Sequence, residues 1–397
     1  MSTLTNAQPG TRPPSRPRLL TVPLGLTFLA EFMSLTSFFL LLSAMPMLAA
    51  AAGAGSAGAG LITGALLLGT VIAEIAAAPA LRRFGYRAVI VAGSVLLGAP
   101  ALALLPREPQ AVMAGVSFAR GIGFGLCGVA TGALTATLLP AERRGEGLGL
   151  LGIVSGVPAV LALPAGIWLT GHHLVTAAAV MAVVTGLTPL AVVRWLPSGA
   201  RQPSAVQAHR NDSTRATRYR LPLIFAAGTI AAGVLDSFLP LARVPSDTVS
   251  AALLVQAIIA TLSRWQAGRH GDRYGHARLL IPALVLAALG MTSLLWLPAP
   301  VAIFAGMVLF GAGFGVIENT TLALLIEQQP EARASALWNL AYDAGYGLGP
   351  AAFGLFSAHT GYPVAFALTG ALVLAVLPAA LRERRAAPPL APAPLVS

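Results

Sequence analysis

Apolar runs of membrane-crossing length recur along this chain, separated by short turns rich in arginine, glycine and proline. Each crossing needs roughly 20 predominantly apolar residues. By that measure six spans fall at about 19–45, 57–80, 88–106, 110–138, 147–170 and 174–195. A polar stretch, 197–220, then breaks the pattern and carries Arg201, Arg210, Arg215 and Arg218. Six more spans follow at about 221–243, 248–267, 278–298, 300–326, 334–357 and 362–381. The pattern predicts an all-α membrane protein with twelve transmembrane helices. They form one six-helix bundle over 19–196 and another over 221–381, joined by the 197–220 linker. Residues 1–18 and 382–397 read as tails. The first apolar run is long and holds Glu31, which favours an uncleaved helix over a signal peptide.

The two bundles are related. At an offset of 190 residues Arg83 maps to Arg273, Gly85 to Gly275 and Pro140 to Pro330. In the same register Gly121-Ile122-Gly123-Phe124-Gly125 maps to Gly311-Ala312-Gly313-Phe314-Gly315. One ungapped register joining a turn, a glycine-rich apolar segment and a proline argues for a duplicated, pseudo-symmetric unit.

Composition narrows the class. Of 397 residues 56% are hydrophobic and 10% charged, with mean hydropathy +0.78; soluble domains carry roughly 25% charged residues. The net charge is +11 and all 25 basic residues are arginine. They are scattered among short loops, which excludes a nucleic-acid face. Twenty-one of them fall in the tails, the linker and the turns on one side, and only Arg107 and Arg243 in turns on the other. The positive-inside rule then puts both termini and the linker in the cytoplasm of a multi-pass cell (inner or plasma) membrane protein. The single cysteine, Cys127, permits no intramolecular disulfide and reads as a packing residue. The six histidines are scattered, and His172-His173 reads as a solvated loop pair rather than a metal site. No nucleophile elbow or phosphate-binding loop occurs, so catalysis has no support and no cofactor or metal is implied.

Several motifs carry a family resemblance. Gly268-x-x-x-Asp272-Arg273-x-Gly275 lies after the second span of the second half. Arg120-Gly121 opens the glycine-rich part of the fourth span, and Gly152-x-x-x-Gly156-Val157-Pro158 lies in the fifth. With twelve spans and a basic central loop, the chain from about 19 to 381 resembles the major facilitator superfamily, and most closely its proton-coupled efflux members. Two departures are visible. Arg82 and Ala78 stand where the first-half loop signature has Asp and Gly, and the fifth-span bend lacks the Gly-Pro dipeptide. The resemblance implies a latch in which Asp272 meets Arg143, Arg144 and the start of the fifth helix. Gly268, Arg273 and Gly275 belong to that latch.

Seven ionisable residues lie within spans: Glu31, Glu74, Arg120, Asp236, Arg264, Glu318 and Asp343. Each costs roughly 2.5–3.5 kcal/mol at a helix centre, which points to function or to pairing. The resemblance places Glu31, Arg120, Asp236 and Glu318 on the helices that line a central cavity, as proton-coupling or substrate residues. Glu31 and Arg120 each lie roughly 15–18 Å along their helices, so a mid-membrane pair is expected, either functional or purely structural. Glu74, Arg264 and Asp343 are expected at an inner gate between the halves, or as assembly pairs. Five acids against two arginines disfavour organic anions and attract protons and cations. Phe28, Phe32, Phe38, Phe39, Trp338 and Tyr342 offer faces for a planar ligand or simply pack.

The resulting expectation is a monomeric, proton-coupled efflux antiporter for a hydrophobic, neutral or cationic small organic molecule. Its partners are that substrate, protons and the lipid bilayer. The alternatives are a proton symporter for a small nutrient and a non-transporting receptor or assembly protein on the same fold.

Overall fold

A computed structural model describes residues 19–104, 110–140, 143–197, 215–329 and 331–386. Residues 1–18, Arg107, most of the expected linker (198–214) and the end of the chain (387–397) lie outside the described residues. Every regular element described is helical. The first half holds α1 (Val22–Leu42), α2 (Ala44–Ala51), α3 (Gly55–Gly98), α4 (Gln110–Leu138), α5 (Arg144–Gly171) and α6 (Val175–Val192). The second half holds α7 (Arg215–Phe238), α8 (Ser246–Tyr274), α9 (Leu280–Ser293), α10 (Pro300–Gln328), α11 (Glu331–Thr360), α12 (Tyr362–Ala375) and α13 (Leu377–Ala386). Thr21 caps α1 through its hydroxyl, and proline pre-sets the first turns of α1, α10 and α12.

Among the described residues, ten stretches are long and apolar enough to cross a membrane. One of them, Gly55–Leu104, has 50 residues, about 75 Å of helix against a hydrocarbon core of about 30 Å. It turns back at Gly85, whose φ of 76° and ψ of 170° suit only glycine, and so crosses twice. The continuous 30-residue α11, whose apolar run Asp343 breaks, supplies the twelfth crossing. Gly275, at φ 85°, ends α8 at the matching turn of the second half. The chain is therefore an all-α membrane protein of twelve transmembrane helices in two pseudo-symmetric six-helix bundles. Large apolar side chains such as Ile75 and Val301 are exposed on its outer surface, as a lipid-facing wall requires.

The sequence repeat survives as packing. A Cβ on Gly121 would lie 1.8 Å from the Leu66 carbonyl oxygen, and one on Gly311 2.6 Å from that of Gln256. Gly123 meets the Gly93 carbonyl as Gly313 meets that of Ala283, and Gly125 meets Thr70 as Gly315 meets Ala260. Both partners in each contact shift by 190 residues. Glycine is needed because these helices touch backbone to backbone.

Two boundaries differ from the sequence pattern. The last helix runs to Ala386, because Glu383 is buried and pairs with Arg220 of α7 at 3.3 Å while accepting from Gln328 Nε2 at 3.1 Å. Residues 382–386 thus continue the last helix. Likewise α7 begins at Arg215, inside the stretch expected to be linker.

The halves meet where α3 packs on α11 and α5 on α8. We call the side bearing Gly85 and Gly275 the terminal face and the other the opposite face. Toward the opposite face the seam is tight. A Cβ on Gly60 would lie 2.2 Å from the Pro350 carbonyl oxygen, and Ser56 Oγ donates to the Gly354 carbonyl at 2.9 Å. Thr63 and Ser237 hydroxyls lie 3.1 Å apart, and His172 of the first half faces Asp247 of the second.

Candidate functional site

Arg120 and Glu31, expected to meet, do not. Arg120 is fully buried and gives its guanidinium to backbone: Nη1 donates to the Leu97 carbonyl at 2.5 Å and Nη2 to that of Ser37 at 2.7 Å. It therefore ties α4 to α1 and to the second limb of α3. Glu31 instead accepts a hydrogen bond from Thr131 Oγ1. The reason is register. In the antiparallel α1–α4 pair Phe38 stacks on Phe124, with centroids 3.9 Å apart. That contact sets Glu31 level with Thr131 and leaves Arg120 near Ser37, about 9 Å further along α1.

The second half gathers a denser cluster. Arg264 of α8 lies 3.8 Å from Glu318 of α10, and the Tyr346 hydroxyl of α11 donates to Asp236 of α7. Tyr342 lies one turn before Tyr346 on α11 and stacks on it, within electrostatic reach of Glu318, Asp236, Asp343 and Arg264. Trp338, Tyr342 and Tyr346 recur every four residues, so they share one face of α11. They stack in a ladder with Phe225: centroids are 4.4 Å apart for Phe225–Trp338, 5.8 Å for Trp338–Tyr342 and 5.2 Å for Tyr342–Tyr346. The buried Trp338 Nε1 has no hydrogen-bond partner among the described residues. Such a face offers π-surfaces beside carboxyls, a combination that attracts cations.

The expected gate trio divides. Glu74 of α3 and Asp343 of α11 come near each other across the seam where these two helices pack. Arg264 does not join them. Close packing of α8 on α10 at Gly311 and Gly315 carries its side chain to Glu318.

At the terminal face Gly268 packs against the Asn319 side chain, and Asp272 and Arg273 are exposed beside Gly275. Asp272 lies 3.9 Å from His276 Nε2, whose Nδ1 faces Glu327 of α10 at 3.4 Å. Arg143 precedes α5; Arg144 opens it, but its side chain lies outside the described residues. In the first-half turn Arg87 Nε donates to the Leu196 carbonyl at 2.6 Å.

Sequence reasoning passed over Thr131 and Tyr346 as site residues. The four-residue spacing from Trp338 through Tyr342 was the signal for Tyr346. A lone threonine on an apolar helix carries none.

Known proteins bear on this geometry. No curated protein matches the chain. Its fold is similar to those of three solved transporters. The nucleoside transporter NupG has 11% identity and TM-score 0.67, the match covering 91% of this chain and 99% of that one. A POT family transporter in complex with 5-aminolevulinic acid has 13% identity and TM-score 0.73, covering 91% and 96%. The inward-open xylose transporter XylE from E. coli has 16% identity and TM-score 0.72, covering 93% and 97%. The family model of the Major Facilitator Superfamily matches residues 27–334, most of the chain. This chain belongs to the major facilitator superfamily and has the fold of its transporters.

Proposed function

We propose that this protein is a proton-coupled antiporter that exports a hydrophobic, neutral or cationic small organic molecule by alternating access of its two halves. The observation that carries this reading is the placing of Asp236 on the Tyr346 hydroxyl and Glu318 beside Arg264, next to the aromatic ladder of α11, the helix that also bears Asp343. Those three acids and Glu74, against the single cation Arg264, favour protons and cations over organic anions. The α11 ladder supplies faces on which a planar or cationic ligand stacks.

Coupling has a physical route here. A proton held between Glu74 and Asp343 lets the two carboxyls share a hydrogen bond, since a carboxylate has no proton of its own to donate. Losing it sets two negative charges against each other across the surface on which the halves move. Glu31 is a second proton site, with Thr131 as its partner. Arg120 acts as the strut that positions α1 against α4. The arginine distribution supports cytoplasmic termini. Gly268, Asp272, Arg273 and Gly275, with Arg143 and Arg144, form a latch for the terminal face.

The test uses everted vesicles and a lipophilic fluorescent cation. Acidifying the vesicle lumen should drive the dye inward, and Glu74→Gln should stop it. Uptake of a nutrient with protons into right-side-out vesicles would turn the reading to symport. No flux of dyes, sugars, nucleosides, amino acids or peptides in either orientation would leave a receptor or assembly protein.

A further inference from the structure

One histidine at the opposite-face seam stands apart from the charge cluster. His172 follows α5, stacked on Trp168 with ring centroids 4.3 Å apart, and reaches across to Asp247 in the first turn of α8. Its Nδ1 lies 2.9 Å from the Trp168 carbonyl oxygen, and its Nε2 3.5 Å from Asp247 Oδ1. Both partners are acceptors: a carbonyl oxygen and an ionised carboxylate have no proton to give. A neutral imidazole carries one N–H, so it satisfies one of them and turns a lone pair on the other. Only the imidazolium, with N–H on both nitrogens, satisfies both.

We infer that His172 and Asp247 form a proton-binding site across the opposite-face seam, where a proton taken up by His172 ties α5 to α8 and strengthens closure of that face. The ligand is a proton from the solvent on that side, and imidazole becomes imidazolium with nothing else consumed. The backbones are already close, since a Cβ on Gly171 would lie 2.2 Å from Ser246 Cβ. Forming the tie therefore needs rotation of a side chain and no movement of a helix. Among the described residues the titratable group next to it in the chain is His173, at φ 60°. Arg243, on the loop before α8, acts on Tyr362 instead.

Histidine changes charge between about pH 5 and 8. The charged ring, tied to Asp247, favours the closed opposite face, and loss of the proton releases the tie. His172 is 38% and Asp247 70% exposed, so the tie is a surface ion pair shifting the closed-to-open ratio up to about five-fold, or about 1 kcal/mol. It rests on the alternating-access reading only for what closure accomplishes.

The test is a distance measurement without substrate. Spin labels are attached at Thr176→Cys and Ala299→Cys, one on each half near the opposite face, in Cys127→Ala protein held in lipid nanodiscs. Between about pH 8 and pH 5 the short-distance population should rise up to about five-fold. His172→Gln and Asp247→Asn should lose the rise, while His172→Arg, permanently charged, should hold the short distance at both ends. A rise that persists in His172→Gln, a flat response without these changes, or His172→Arg behaving like His172→Gln would overturn the inference. Flux is not read, so failure of the transport assay leaves this outcome intact, and the reverse holds.

Discussion

Thr131 donates its hydroxyl to the Glu31 carboxylate eleven residues along α4 from Arg120. That separation is about 16 Å of helix, which parts the acid from the arginine expected to balance it. The two residues therefore have different tasks, and substitutions should separate them.

Glu31→Gln keeps the shape of the side chain and removes its titration. Proton-driven accumulation should fall to background, while ligand-for-ligand exchange and melting temperature stay near those of the parent. Thr131→Val, which leaves the acid in place, should slow transport without abolishing it. Parental accumulation in Glu31→Gln would leave the coupling role to the Glu74–Asp343 pair.

Arg120→Met should damage stability before it damages binding. It removes the charge-assisted hydrogen bonds to the Leu97 and Ser37 carbonyls, worth about 1.5–3 kcal/mol each. Arg120→Lys should rescue little, since one ammonium cannot reproduce the planar fork that reaches both. Thermal denaturation in detergent checks this. Parental melting combined with weakened ligand binding would instead make Arg120 a ligand group.

Glu74→Gln and Asp343→Asn each replace the shared proton with an amide hydrogen that stays in place at every pH. Both should retain ligand exchange and lose at least ten-fold in accumulation driven by a proton gradient. A ten-fold loss corresponds to about 1.4 kcal/mol of coupling. Accumulation equal to the parent in both variants would reduce the pair to an assembly contact.

The terminal-face latch is tested by asymmetry between the two turns. Asp272→Asn should expose a cysteine placed near the terminal-face end of α5, in a Cys127→Ala background, to a membrane-impermeant thiol reagent. Arg82→Ala should do much less, because Arg82 stands where the loop signature has aspartate. Contacts of this kind are worth about 0.3–1 kcal/mol, so a two- to five-fold change in labelling rate is expected. Equal rates in Asp272→Asn and its parent would rule the latch out.

Helix number, the duplication and the turns were legible in the residues alone, because each depends on local physics. A bilayer demands about 20 apolar residues per crossing. Gly85 and Gly275 adopt positive φ where a side chain would be strained. Gly121, Gly123 and Gly125, like Gly311, Gly313 and Gly315, mark backbone contact between helices. The intramembrane charges were legible as a set, since no helix carries them without compensation. Their partners were not. Depth along a helix places a residue to within a few turns, whereas pairing depends on how two helices slide and rotate against each other. Stacking of Phe38 on Phe124 gave Glu31 to Thr131, and glycine contacts between α8 and α10 sent Arg264 to Glu318 instead of Glu74. Those registers are set by side chains far apart in the chain, and only the packed helices decide them.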